Sequence, residues 1–428
     1  MSNNSIQAHG CSEYRALSRR SFLKSSAAAA MIASAPAWVP RVAYAASSDS
    51  DRDIVVSIYL RGGADGLTFC APHGDADYYV QRPGLAVPPP DSSDPNRLTD
   101  LDGFFGLPPA MAPLLPVYQA GHLAFVHACG LTSTTRSHFD AQRFMEVGQV
   151  GAGASDGWLG RHLATVSPLD GASVLRGVTF DTAMALTMVG APLSLPINDP
   201  ESFGILGTSS TRDDRAGRLG QMYDHDDVLN VVADNTMATI SLLETIDFAG
   251  YTPAGGASYP ASQFGEALKA TAALIRANVG VEAVHVNKGG WDTHASQGVL
   301  TGTMASLMDD LAIGLLALHA DMEASGNLAR LVVVVLTEFG RVVAENGSLG
   351  TDHGHGGAMI VMGGGVVGGQ VMRHWPGLAT EQLFAQRDLA ITIDYRDILA
   401  EIVDKRLSNP NLAAVFPGYS PTYRGIVV

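Results

Sequence analysis

Cysteine is scarce in this chain of 428 residues: Cys11, Cys70 and Cys129 are all it has. No two of them have the spacing of a cysteine-held zinc, so that class of site is excluded. Basic residues are in deficit too, 27 Lys and Arg against 42 Asp and Glu, for a formal net charge of -15. So acidic a surface argues against nucleic acid or anionic lipid as a general partner. An anionic substrate stays open, because a local metal ion can invert the field inside a cleft. Internal repeats are absent. The run Gly363–Gly369 has neither the lysine of a phosphate loop nor the ordered spacing of a dinucleotide motif, and reads as a tight turn after a strand.

Ser18-Arg19-Arg20-Ser21-Phe22-Leu23-Lys24, the alanine-rich stretch from Ser25 to Trp38 and Ala43-Tyr44-Ala45 read as a twin-arginine export signal with its cleavage site. The apolar stretch is shorter than the roughly 20 residues of a bilayer span. The expectation is a cleaved signal over 1–45, no stable membrane anchor, the twin-arginine translocase as export partner, and a periplasmic or secreted chain. Cys70 and Cys129 would then meet an oxidising compartment, either bridged or as two buried thiols.

The mature part, 46–428, reads as a single domain. Strand-like apolar runs cover 54–60, 123–128, 283–286, 331–336 and 359–362. Continuous Val and Ile without alternation fits strands buried on both faces of a parallel sheet. Helical spacing covers 227–246, 262–278 and 300–325, with another helix beginning near Ala110. The stretch 83–113 reads as a surface excursion, and 148–156 as a flexible loop. The alternation predicts an α/β fold, a central mostly parallel sheet with helices on both faces, and ligands at the strands' carboxyl ends.

Acids and imidazoles gather near those ends. Asp65 lies in Arg61-Gly62-Gly63-Ala64-Asp65-Gly66, either as a metal ligand or as a turn cap. Asp292 and His294 lie in Gly290-Trp291-Asp292-Thr293-His294, two apart and so able to face one ion in an extended chain. Glu338 ends the strongest strand, with Arg341 as a candidate partner. Asp352, His353 and His355 form the densest cluster, Asp352-His353-Gly354-His355-Gly356-Gly357. Oxygen and nitrogen donors together suit zinc or manganese better than calcium. Ser137, in Arg136-Ser137-His138-Phe139-Asp140, fits a helix cap and equally an activated nucleophile, with Arg136 and His138 neutralising a bound oxyanion.

In this order, the motifs resemble an exported bacterial family of unknown function that carries twin-arginine signals and is grouped with the alkaline phosphatase/sulfatase superfamily. The resemblance spans nearly all of the mature chain. It implies an alkaline phosphatase-like sheet, divalent metal at the strand ends, and a hydroxyl nucleophile attacking phosphorus or sulfur. It places Asp65 on one metal, Asp292 on the other, Ser137 near the nucleophile's position, and His355 or His353 as the late histidine. Glu338 stands where an Asp-His pair is usual, and Phe339 beside it cannot bind metal, which leaves one ion or two open. Cys70-Ala71-Pro72 starts like the formylglycine signature of sulfatases, but Gly74 stands where that motif needs arginine. The implied activity is hydrolysis of a small anionic ester, a phosphate or sulfate, with Arg136 or Arg341 balancing the transition state. The alternative is a non-catalytic periplasmic binding or assembly protein on the same scaffold.

Overall fold

The computed structural model describes residues 53–428 apart from 152, 169–172, 206 and 224–227. The expected export signal lies outside the described residues. Within them, Ser202–Thr245 clusters as a compact unit separate from the flanking chain. It contains the helices Arg212–Tyr223 and Val228–Leu243.

The larger unit is built on one nine-stranded sheet. Its strands are β1 (Ile54–Leu60), β2 (Leu123–Gly130), β3 (Gly177–Phe180), β4 (Ser194–Pro196), β5 (Ala283–Lys288), β6 (Leu331–Thr337), β7 (Gly357–Gly363), β8 (Gln370–Met372) and β9 (Ile393–Asp394). The order is β8-β2-β7-β6-β1-β5-β3-β4, with β9 also paired to β2. All pairings are parallel except those of β7, which runs against both β2 and β6. The mostly parallel sheet expected from the Val/Ile runs is present. The antiparallel strand is the departure, and it matters: the segment before β7 starts at the same edge where β1, β2, β5 and β6 end.

Burial follows the pleat. Val55, Tyr59, Val332, Val334, Leu336 and Val361 join one core cluster with helices α1 (His138–Val147), α2 (Trp158–Thr165) and α5 (Tyr395–Lys405). The residues between them, Val56, Ile58, Val333 and Val335, point the other way and are equally buried. Fully burying each such side chain contributes about 1.5–3 kcal/mol, so both faces of the central strands are worth covering. Helices α3 (Gln263–Ala277) and α4 (Thr303–Ala324) pack on each other, and α3 packs on β5. Ser262 caps α3 through the Gly265 N–H, and Asn278 ends it in the left-handed region.

The excursion 83–113 is less exposed than expected. Leu85, Val87 and Leu98 are buried in a second apolar cluster with Leu67, Tyr78 and Val343. The helix expected near Ala110 begins as a 3-10 turn, Pro109–Leu114, and becomes α-helical at Leu115. Cys70 and Cys129 are both buried and both free, and burial pushes each thiol's pKa well up.

Candidate metal centre

Five loops meet at the carboxyl edge of β1, β2, β5 and β6. Gly62 and Gly340 allow it. Gly62 has φ +121°, and a Cβ there would lie 2.5 Å from the Asp292 nitrogen. A Cβ at Gly340 would lie 1.8 Å from the Gly356 oxygen. Arg341 then ties the loops from inside. It is 1% exposed and donates to the carbonyls of Gly62, Gly63, Thr351 and Trp291, and to Asp292 Oδ1 at 2.7 Å.

His138, His294 and His353 surround the Asp292 carboxylate. His138 Nε2 lies 3.5 Å from Asp292 Oδ2, while His294 Nε2 and His353 Nε2 each lie 3.0 Å from Oδ1. The Nε2 atoms of His294 and His353 are 3.0 Å from each other. Each ring is held from behind through Nδ1. That atom faces Glu338 Oε1 at 2.9 Å in His138, Asp352 Oδ1 at 3.0 Å in His294, and the Arg136 carbonyl at 3.0 Å in His353. All three partners accept only, so Nδ1 donates in each ring, while the three Nε2 atoms converge on the Asp292 carboxylate. Carboxylate- and carbonyl-backed imidazoles are the usual supports of metal-binding histidines.

Electrostatics agree with this arrangement. Burial raises the Asp292 carboxyl, but its bond and charge contact with Arg341, aided by His353 and His294, hold it below the usual carboxylate range. Asp352 is also lowered, first by its bond to His294. Burial lowers His353 against the pull of Asp292 and the Arg136 carbonyl, which favours a neutral ring. The group is open to water: the His294 and Asp292 side chains are 43% and 42% exposed.

Residues 245–409 match a family described as "Protein of unknown function (DUF1501)". The match takes in Asp292, His294, Glu338 and His353. No curated protein matches the chain. Among solved structures, the chain resembles one described as "Ps i-CgsB in complex with k-i-k-neocarrahexaose", at 9% identity and TM-score 0.37, covering 86% of this chain and 73% of that one. It also resembles a protein in the alkaline phosphatase superfamily from Vibrio parahaemolyticus, at 9% identity and TM-score 0.31, over 77% and 64%. Alkaline phosphatase from the Antarctic bacterium TAB5 follows at 8% identity and TM-score 0.28, over 73% and 92%. Likenesses this remote say nothing of activity.

Several expected roles change. Asp65 is 1% exposed and both its oxygens are taken, by Arg82 at 2.6 and 3.0 Å and by Thr68 and Gln297. Burial raises its carboxyl, yet the Arg82 charge and bonds outweigh that and hold it low. It is a structural anchor and has no oxygen to offer an ion. Glu338 and Asp352 back histidines and do not join the converging donors. Glu338 also accepts from the Gly62 N–H at 2.7 Å and from Gln142 at 3.1 Å. The expected Arg341–Glu338 pair is replaced by Arg341–Asp292, and the buried Arg341 has no face toward solvent for a substrate. His355 stands apart: its ring stacks on Phe384 at 4.3 Å, and it touches none of the converging donors among the described residues.

His138 moves the other way, from neutralising an oxyanion to joining the donor group. Ser137 caps α1, accepting from the Asp140 N–H at 3.5 Å, and its hydroxyl is exposed. Arg136 pairs with the buried Asp388. Arg387, to which the sequence drew no attention, donates to the His353 carbonyl at 2.7 Å. Its only sequence signal is one more positive charge in an acidic chain. Phe339 lies against His138 and His353, ring centroids 5.0 and 4.8 Å away, where it fills the space beside the group.

Proposed function

We propose that the chain is an exported metal-dependent hydrolase of phosphate or sulfate esters, with one divalent ion held by His138, Asp292, His294 and His353. The observation that carries the reading is the common orientation of the three rings. Two imidazole nitrogens and a carboxylate oxygen lie 3.0 Å from one another, a convergence that either ring protons or one cation among them would satisfy, and we read it as a cation site. Ligands of a tetrahedral ion with bonds of about 2.0–2.1 Å are about 3.3 Å apart, which the Asp292, His294 and His353 atoms approach, while the His138 donor lies within 4.8 Å of those of Asp292 and His353. Three nitrogens and one carboxylate favour zinc or manganese. A bound ion of this kind supplies a Lewis acid for an ester oxygen.

The chain's own residues do the rest. Glu338, Asp352 and the Arg136 carbonyl hold the rings in register. Arg341 fixes Asp292 and the loops. Arg136 and Arg387, with side chains 37% and 43% exposed, lie beside His353 and share the buried Asp388, which leaves one net positive charge to offer an anionic ester. Ser137 is the attacking hydroxyl in this reading. It is exposed, one residue ahead of His138, and its long capping bond leaves it free to turn. The ester class rests on the family resemblance of the motifs. We read the twin-arginine motif as directing the protein to the periplasm or outside the cell, and replacing Arg19 and Arg20 with lysine is then expected to leave it inside.

The test is the full chain, purified without chelators, assayed against aryl phosphates, phosphodiesters and aryl sulfates. Asp292→Ala and His353→Ala are expected to lose metal and turnover together, and His355→Ala to keep both. Ser137→Ala is expected to keep its metal while turnover falls by about a hundredfold or more. Unchanged turnover in that variant removes the serine from the mechanism and leaves the metal centre standing. Phe339, an apolar ring beside the donors, favours the second reading, a non-catalytic binding or assembly protein. Bound metal with no turnover across the panel would decide for it.

A further inference from the structure

We infer that His122, His319 and Glu323 form a second divalent-metal site, at the opposite edge of the sheet, that clasps helix α4 to the start of β2. His122 immediately precedes β2, and its carbonyl accepts the Gly363 N–H at 2.9 Å, which fixes its backbone. His319 and Glu323 lie four residues apart on α4, one above the other on the same face. His122 Nδ1 and His319 Nε2 are 3.0 Å apart, and all three donor atoms lie within 4.8 Å of one another.

Two imidazole nitrogens at that distance are joined either by an ordinary N–H···N hydrogen bond or by a metal ion between them. The third group decides. A carboxylate completes a two-nitrogen, one-oxygen set, which is the donor chemistry of zinc held by two histidines and a glutamate. His319 is 5% exposed and so held in place, whereas His122 is half-buried and Glu323 exposed, which gives an ion a way in. This site is independent of the first. β2 is eight residues long, so its two ends are roughly 25 Å apart.

Zinc binding by equilibrium dialysis tests the assignment on the full chain. In a His353→Ala background, which removes the first centre, one zinc per chain is expected. Adding His319→Gln should abolish it. Glu323→Gln, a change at an exposed position that does not threaten folding, should weaken it by about tenfold or more. Zinc should also raise the melting temperature of the His353→Ala chain and leave that of the double variant unchanged. The inference is overturned if His353→Ala binds no zinc, or if the His319→Gln and Glu323→Gln changes leave binding as it was; the latter would mean the two rings share a proton. Because the first centre is absent throughout, its own failure would not affect this result.

Discussion

Asp65 and Asp292 follow neighbouring parallel strands and are the same residue type, yet their surroundings separate their roles. Asp65 is enclosed with Arg82, and both are fully buried. Removing one partner of such a pair leaves an uncompensated charge, so Arg82→Ala is expected to destabilise the protein by about 3–5 kcal/mol. Denaturant unfolding checks it, and a change below 1 kcal/mol would show that the pair is not anchoring the loop. Asp292 keeps an open side toward water and three imidazoles. A carboxylate next to glycines reads the same in both motifs. What distinguishes them is Arg82, seventeen positions downstream in a stretch that carries no signal. The candidate residues were thus visible as residue types. Which acids hold histidines and which one faces the cation depends on contacts across the sheet, such as Glu338 with His138, 200 positions apart.

At the scale of elements, the loops around the centre are set by close backbone approach. Gly62→Ala would press a methyl group against the Asp292 backbone at an unfavourable φ, and is expected to weaken metal binding by moving Asp292. The Kd measured by competition with a chelator reports this, and an unchanged Kd would show that the loop absorbs the change. The strands of the sheet centre were legible because five of them are predominantly apolar runs, two of them unbroken. Helices α3 and α4 were legible from their apolar spacing, to which α3 adds the Ser262 cap. The short strands β3 and β4 were not, since three or four residues carry too little pattern. The direction of β7 was not legible either, because a buried strand reads alike in both directions. That one reversal delivers Asp352 and His353 to the edge where the other loops end.

For the molecule as a whole, acid stability should be limited by two buried histidines that do not belong to the donor group. His127 and His285 are fully buried, and burial lowers each to about 4. The unfolded chain takes up these protons near pH 6.5 and the folded chain does not. Stability is therefore complete above that pH and declines as pH falls toward 4. The two together give a slope of up to about 2.7 kcal/mol per pH unit in that window. Denaturant midpoints at pH 7 and pH 5 test this, and equal midpoints would contradict it. Asp65, held low by Arg82, adds a further loss below the ordinary carboxylate range.

The most direct test of the metal centre at the carboxyl edge is elemental analysis of the full chain beside its His353→Ala variant, both purified without chelators. One equivalent of zinc or manganese fewer in the variant is the expected result. Equal metal content in the two proteins would mean that the three imidazoles around Asp292 hold no ion.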